Sequence, residues 1–232
     1  SRFGTFDELA ENNRAQIKDL VQNLDKTNPA KGTVAQKVND LYKLGMDSVR
    51  LNSEGAAPIK EELANIAAMK RADLLSTIYH LHNDVTSTLF GCFVMADLKD
   101  SNVNILYLGQ ASLGMGDRDY YLENDENSTK IRNAYINYIE TMMKLAGYKP
   151  KAAKQAAKNV LKIETEIAKV TMTREESRDM SRLYNIYTVD QLQKEFPSIK
   201  WAEYFVARNL NGVDKACVTE PKALAKVSEL MA

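Results

Sequence analysis

The sequence predicts a mainly α-helical domain that carries one short β-hairpin near residues 89–108. Two observations predict it. Apolar residues recur at helical spacing along most of the chain. The stretch "TSTLFGCFVMADLKDSNVNILYLGQ" instead holds two short apolar runs, residues 89–95 and 103–108, either side of a turn-rich "ADLKDSN". A third feature interrupts the helices without belonging to either pattern. The loop "LGMGDRDYYL", residues 113–122, packs two glycines, three charges and two adjacent tyrosines into ten residues with no period.

The elements follow in order. Thr5-Phe6-Asp7-Glu8 has the spacing of a capping box, in which the hydroxyl of Thr5 accepts the Glu8 amide and the Glu8 side chain returns to the Thr5 amide. Phe6, Leu9, Ile17, Leu20, Val21 and Leu24 then continue at mostly helical spacing. The turn "KTNPAKG" separates this helix from a second over residues 33–51, with Val34, Val38, Leu41, Tyr42 and Met46 as its apolar face. Gly45 inside that helix costs about 1 kcal/mol, which suggests close packing there. A third helix is expected from Pro58, where no amide donor is needed, with Ile59, Leu63 and Ile66 buried. A fourth covers residues 71–83.

After the hairpin and the loop come two long helices, residues 126–146 and 151–170, punctuated by Gly147 and Pro150. Thr188 and Gln191 form a second capping box opening a short helix that stops at Pro197. "IKWAEYFVARNL" is another helix, and "EPKALAKVSELMA" begins a last one. The chain has 232 residues, enough for one large domain or two small ones.

Composition excludes several functions. Lys plus Arg equals Asp plus Glu, 31 against 31, so the clustered cationic excess that nucleic acid requires is not indicated. The longest apolar run, residues 89–96, is too short to be a membrane-spanning helix. Cys92 and Cys217 lack C-x-x-C spacing and read as small buried or half-buried side chains. His80 and His82 lie roughly 200° apart on a helix, so they do not converge on one metal. No H-E-x-x-H, G-x-S-x-G or G-x-G-x-x-G occurs. The lysine-rich "GYKPKAAKQAAK" reads as a solvated helix face.

Asp117, Arg118 and Asp119 have two readings. They form a binding site, or Arg118 makes bidentate bonds to nearby carboxylates or carbonyls and holds the loop against the helices. In the second, preferred reading Tyr120 and Tyr121 pack their rings inward and bond through their hydroxyls.

Several stretches resemble one family, in its order, along the whole chain. "SLGMGDRDYYL" is similar to G-L-G-L-P-D-R-D-Y-Y-L, a signature of the large N-terminal domain of neprilysin-type zinc metallopeptidases, with Gly116 where proline is usual. "SRFGTFDEL" resembles S-R-Y-G-x-F-D-x-L. "DLKDSNVNILYL" resembles D-x-K-D-S-x-x-x-x-L-Y-L. "IETEIAKVTMTREESRDMSRLYN" resembles E-x-x-x-A followed by R-D-x-x-x-x-Y-N, and "LQKEFPSIKWAEYF" resembles L-x-x-x-x-P-x-x-x-W-x-x-Y.

The resemblance, which extends to endothelin-converting enzyme and bacterial oligopeptidase O, implies an oligopeptide-cleaving zinc metalloendopeptidase. Its zinc ligands, H-E-x-x-H and E-x-x-x-D, would lie in a C-terminal catalytic domain beyond this chain. There zinc would polarise the scissile carbonyl and a glutamate would activate water. The chain is then expected to be a partial N-terminal, non-zinc domain, cut at both ends and inactive alone. It would bind no zinc itself and would roof the cleft. Arg2, Phe6 and Asp7 would be its substrate-binding residues: Arg2 offers a fork for a peptide carboxylate, Phe6 lines the S1′ pocket and Asp7 lies beside the arginine. Ala10 stands where neprilysin has a second arginine. Asp117, Arg118, Asp119, Tyr120 and Tyr121 would form a structural loop.

The expected partners are peptide substrates and the missing catalytic domain, with no nucleic acid and no membrane segment in this chain. The expected location of the parent is extracytoplasmic, periplasmic or membrane-anchored, and the scarcity of cysteine suggests a bacterial origin. Two rival readings are a free-standing helical interaction module and a catalytically inactive peptide-binding homologue. The coding sequence after Ala232 separates all three.

Overall fold

A computed structural model describes residues 4–232. The chain divides into two compact units, one ending at Pro58 and the other spanning Ile59–Ala232. Helices dominate both, and the strands lie in the second.

In the first unit, α1 (Thr5–Thr27) packs against α2 (Val34–Met46), and α3 (Ser48–Glu54) follows. Asn28 takes the left-handed conformation at φ 45° and ends α1 ahead of Pro29. Lys43 pairs with Asp25 at 2.9 Å between the two helices. The single helix expected over residues 33–51 is split. Asp47 leaves helical geometry and its carboxylate accepts the Arg50 amide at 2.9 Å, capping a new helix instead of continuing the old one. A Cβ added at Gly45 would meet nothing within 4 Å, so the close packing inferred there is absent. The apolar face of α2 is mostly exposed: Val34 is 77% and Leu41 72% accessible, and only Asn39 in that helix is buried. A pair of helices has too little partner surface to cover both apolar stripes.

The second unit starts with α4 (Lys60–Ala68) and α5 (Leu74–Asp84). Pro58 lies in a 3-10 turn, Ala57–Ile59, ahead of α4 rather than in its first turn. Ile59 and Ile66 are exposed and only Leu63 of the expected stripe is half-buried. On α5, Ile78, Tyr79 and His82 face inward.

The expected hairpin is present. β1 (Phe90–Ala96) pairs antiparallel with β2 (Asn104–Gln110), from Phe90 opposite Gln110 to Ala96 opposite Asn104. It is half of a larger sheet. After α6 (Asp119–Leu122), α7 (Glu126–Leu145) and α8 (Pro150–Ala168), the chain adds β3 (Ile186–Thr188), α9 (Val189–Glu195), α10 (Trp201–Ala207), β4 (Lys215–Val218) and α11 (Pro221–Met231). β4 lies parallel to β2 and antiparallel to β3, giving the order β1-β2-β4-β3.

The core collects around Trp201, Tyr204, Phe90, Phe196, Leu108 and Leu224, all nearly inaccessible. The indole of Trp201 donates to the Phe196 carbonyl at 3.2 Å, so its one polar atom is satisfied. The capping box of Thr188 and Gln191 forms as its spacing requires, with amide-to-side-chain distances of 3.3 and 2.8 Å. Pro150 starts α8 as its first helical residue, and Ala153 and Ala157 let that helix approach its neighbours closely while Lys151, Lys154 and Lys158 face water. Cys92 is half-buried and Cys217 buried in β4, both as free thiols.

Candidate functional site

The N-terminal candidates sit on the first turn of α1. Arg2 lies outside the described residues. The helix is capped one residue earlier than the Thr5 box predicts: Gly4 is the cap, and its amide donates to Asp7 Oδ2 at 2.8 Å. With Gly4 as the cap, Asp7 rather than Glu8 stands at the third helical position, from which a side chain reaches back to the cap amide, and its charge is favoured by the positive helix end. Phe6 is 89% exposed, a large apolar cost to leave in water.

The loop of residues 113–122 is organised around a residue that sequence reasoning did not single out. Glu164 of α8 accepts the Tyr121 hydroxyl at 2.8 Å through Oε2. Its Oε1 accepts the Tyr135 hydroxyl and the Gly114 amide, both at 3.2 Å. Tyr121 in turn accepts the Met115 amide at 3.0 Å. One carboxylate thus ties the loop, α7 and α8 together. Burial pushes the phenols of Tyr121 and Tyr135 up, and the neighbouring carboxylate reinforces the shift, so both remain donors. Gly114 is required by this arrangement, since a Cβ there would fall 1.8 Å from the Tyr135 hydroxyl.

The charged residues of the loop divide the work differently from the sequence reading. Arg118 makes no fork-to-carboxylate pair among the described residues; its Nε donates to the Ala168 carbonyl at the end of α8, at 3.1 Å. The ion pair belongs to Asp117 with Arg174. The Asp117 carboxyl is held below its usual range, first by the Asp119 amide and then by Arg174. Tyr121 is buried and bonds through its hydroxyl, whereas Tyr120 contributes its carbonyl, which accepts from Arg132 Nη1 at 2.6 Å.

The histidines take separate roles. His80 is exposed between Glu62 and Asp84, at 3.0 and 2.9 Å. His82 is buried and bonds through Nδ1 to the Tyr204 hydroxyl at 3.0 Å and through Nε2 to the Thr88 backbone. Among the described residues no group of three or more His, Cys, Asp or Glu side chains is placed to hold a metal. A second inter-motif bond joins Tyr184 to Asp97 Oδ2 at 3.0 Å, with Lys99 over the Tyr184 ring.

Beside the loop lies an open cavity of about 580 Å³. Arg118, the turn after α8, Arg182, Asn185 and the start of α11 line it.

The second unit is thus a helical scaffold with a small mixed sheet, in which the Glu164 carboxylate staples an Asp-Arg-Asp-Tyr-Tyr loop to two long helices. The chain belongs to peptidase family M13, whose N-terminal model matches residues 1–232. It is 30% identical over 246 residues to endothelin-converting enzyme 1 of Bos taurus and 29% identical over 245 residues to that of Homo sapiens, covering 100% of this chain in each case. It spans about a third of the length of these relatives, 32% and 31%. Among solved structures, Mycobacterium tuberculosis zinc metalloprotease Zmp1 in complex with inhibitor superposes with a TM-score of 0.83 at 27% identity, covering 99% of this chain and 35% of that one. PepO from Lactobacillus rhamnosis shares the fold, with a TM-score of 0.80 at 18% identity over 96% of this chain and 36% of that one.

In the residues quoted for the resemblance, Glu164 and Ala168 are the E and A of E-x-x-x-A. The signal for the loop's anchor was therefore in the sequence. What it lacked was the partner.

Proposed function

We propose that the chain is the N-terminal, non-zinc part of a zinc-dependent metalloendopeptidase that hydrolyses oligopeptides, and that this part roofs the cleft and limits access to it. The observation that carries the reading is the family match along every residue of the chain, to relatives named as an endothelin-converting enzyme and a zinc metalloprotease. The described residues offer no ligand cluster that fits zinc, so the metal and the reacting water are assigned to the rest of the parent and no chemical step is assigned to this chain.

Within the proposal, Arg2, Phe6 and Asp7 meet the substrate. The exposure of Phe6 leaves its ring available for an apolar peptide side chain. Asp7 fixes the first turn on which Phe6 sits. Asp117, Arg118, Asp119, Tyr120 and Tyr121 hold the scaffold. An extracytoplasmic, bacterial parent is part of the same reading. No helix among the described residues is long and apolar enough to cross a membrane.

The test is the full-length parent. Purified, it should contain zinc and cleave a short unstructured peptide while sparing the same sequence embedded in a folded protein. Equal cleavage of both would overturn the roofing role, and a zinc-loaded parent that cleaves neither would overturn the peptidase reading.

A further inference from the structure

We propose that the cavity beside Arg118 binds a carboxylate-bearing ligand, with the Arg118 guanidinium as its principal receptor. The cavity encloses about 580 Å³, within the range of small-molecule and peptide side-chain sites. Its wall carries Arg118, Lys169, Arg182 and Lys222 against two carboxylates, Glu176 and Glu220.

Both carboxylates are already committed. Glu220 accepts the Met172 amide at 2.7 Å and Gln110 Nε2 at 3.2 Å. Glu176 accepts the Thr173 amide at 3.0 Å and Arg182 Nη1 at 2.7 Å. Arg118 is bound only through Nε, to the Ala168 carbonyl, and that bond orients the planar group. Its two Nη nitrogens have no hydrogen-bond partner among the described residues, and Lys222 makes no ion pair among them. A half-buried guanidinium with two parallel donors left over matches a carboxylate in geometry and charge.

The start of α11 points the same way. Pro221 has no amide, and Glu220 turns its side chain to Met172 and Gln110 instead of capping the helix. The first turn of α11 therefore lies beside the cavity without a side-chain cap on its amides. Two carboxylates on the wall keep the cationic excess small, which suits a carboxylate better than a polyphosphate. Val170, Met172 and Pro221 supply an apolar surface for a carbon skeleton.

The carboxylate has two possible sources, a free dicarboxylate and an acidic peptide side chain, and the experiment separates them. This chain would be titrated by calorimetry at constant ionic strength with glutarate, with acetyl-Ala-Glu-Ala-amide, with its Gln counterpart and with inorganic phosphate. Saturable binding of one equivalent of glutarate or of the Glu peptide, with no response to the Gln peptide, is the expected result. Whichever binds more tightly identifies the source. Lys222→Gln, which breaks no side-chain hydrogen bond or ion pair among the described residues, should weaken binding severalfold. Arg118→Lys, which keeps charge but loses the fork, should weaken it about tenfold or more. No saturable response to either carboxylate overturns the proposal. So does a preference for phosphate, or wild-type affinity in both variants. The measurement involves no catalysis, so its failure would leave the peptidase reading untouched.

Discussion

The Tyr121 hydroxyl donates to Glu164 Oε2 at 2.8 Å, and it does so from a loop forty-three residues earlier in the chain. Through that bond a helix carboxylate holds an irregular segment whose own backbone offers few regular hydrogen bonds. Tyr121→Phe should remove this bond and leave the Met115 amide without its acceptor, at a cost of about 1–3 kcal/mol. Glu164→Ala should cost more, since it strands two tyrosine hydroxyls and an amide. Urea denaturation of the two single variants and the double variant measures the coupling. Additive losses would show that the two residues do not act as one unit.

Two glycines should respond in opposite ways. Gly114→Ala places a methyl group against Tyr135, with ring atoms at 2.4 and 3.0 Å, so the ring must move away from Glu164. A loss of about 2 kcal/mol or more is expected. Gly45→Ala meets nothing within 4 Å in a helix and should stabilise by about 0.5–1 kcal/mol. Thermal melts of both variants check the contrast, which a destabilised Gly45→Ala would contradict.

The two histidines should titrate on opposite sides of the ordinary imidazole value. The hydrogen bond to Glu62, with Asp84 nearby, raises His80. Burial lowers His82, and the Arg208 charge adds to that against the Thr88 contact. For His80 the folded state holds its proton more tightly, so that stabilisation is complete below about pH 6.5 and fades as pH rises through the folded value. For His82 the unfolded state holds the proton more tightly, so stability falls as pH drops below about 6.5. Side-chain NMR titration should resolve the two; a His82 midpoint above that of His80 would refute the assignment.

The isolated chain should bind no stoichiometric zinc and cleave no peptide. Its two histidines engage separate partners, and no described group of ligands could close a site around the metal. Metal analysis after dialysis is decisive, because one tightly held zinc per chain would contradict it.

In the full-length parent, Arg2→Ala should weaken kcat/KM about tenfold to a hundredfold for peptides whose free carboxylate lies near the cut. Amidated forms should lose much less. Equal losses for acid and amide would mean that Arg2 does not read the carboxylate.

The sequence by itself determined the helices with strong stripes and caps, the hairpin, and the order of the family motifs. Those features are local: a 3.6-residue period, a Thr188–Gln191 box or two apolar runs around a turn are all encoded within a few neighbours. Only the tertiary structure decided what those motifs are for. β3 and β4 are three and four residues long, too short to announce themselves; β4 exists because β2 supplies a ready edge, and β3 because β4 then supplies the next. Tyr184 meets Asp97 across 87 positions, and Glu164 meets Tyr121 across 43. The exposure of Phe6 and of the α2 face was equally beyond reach, because periodicity marks an apolar stripe without saying whether anything covers it. Pairing between distant residues depends on the packing of the intervening helices and strands, and no local pattern carries that information.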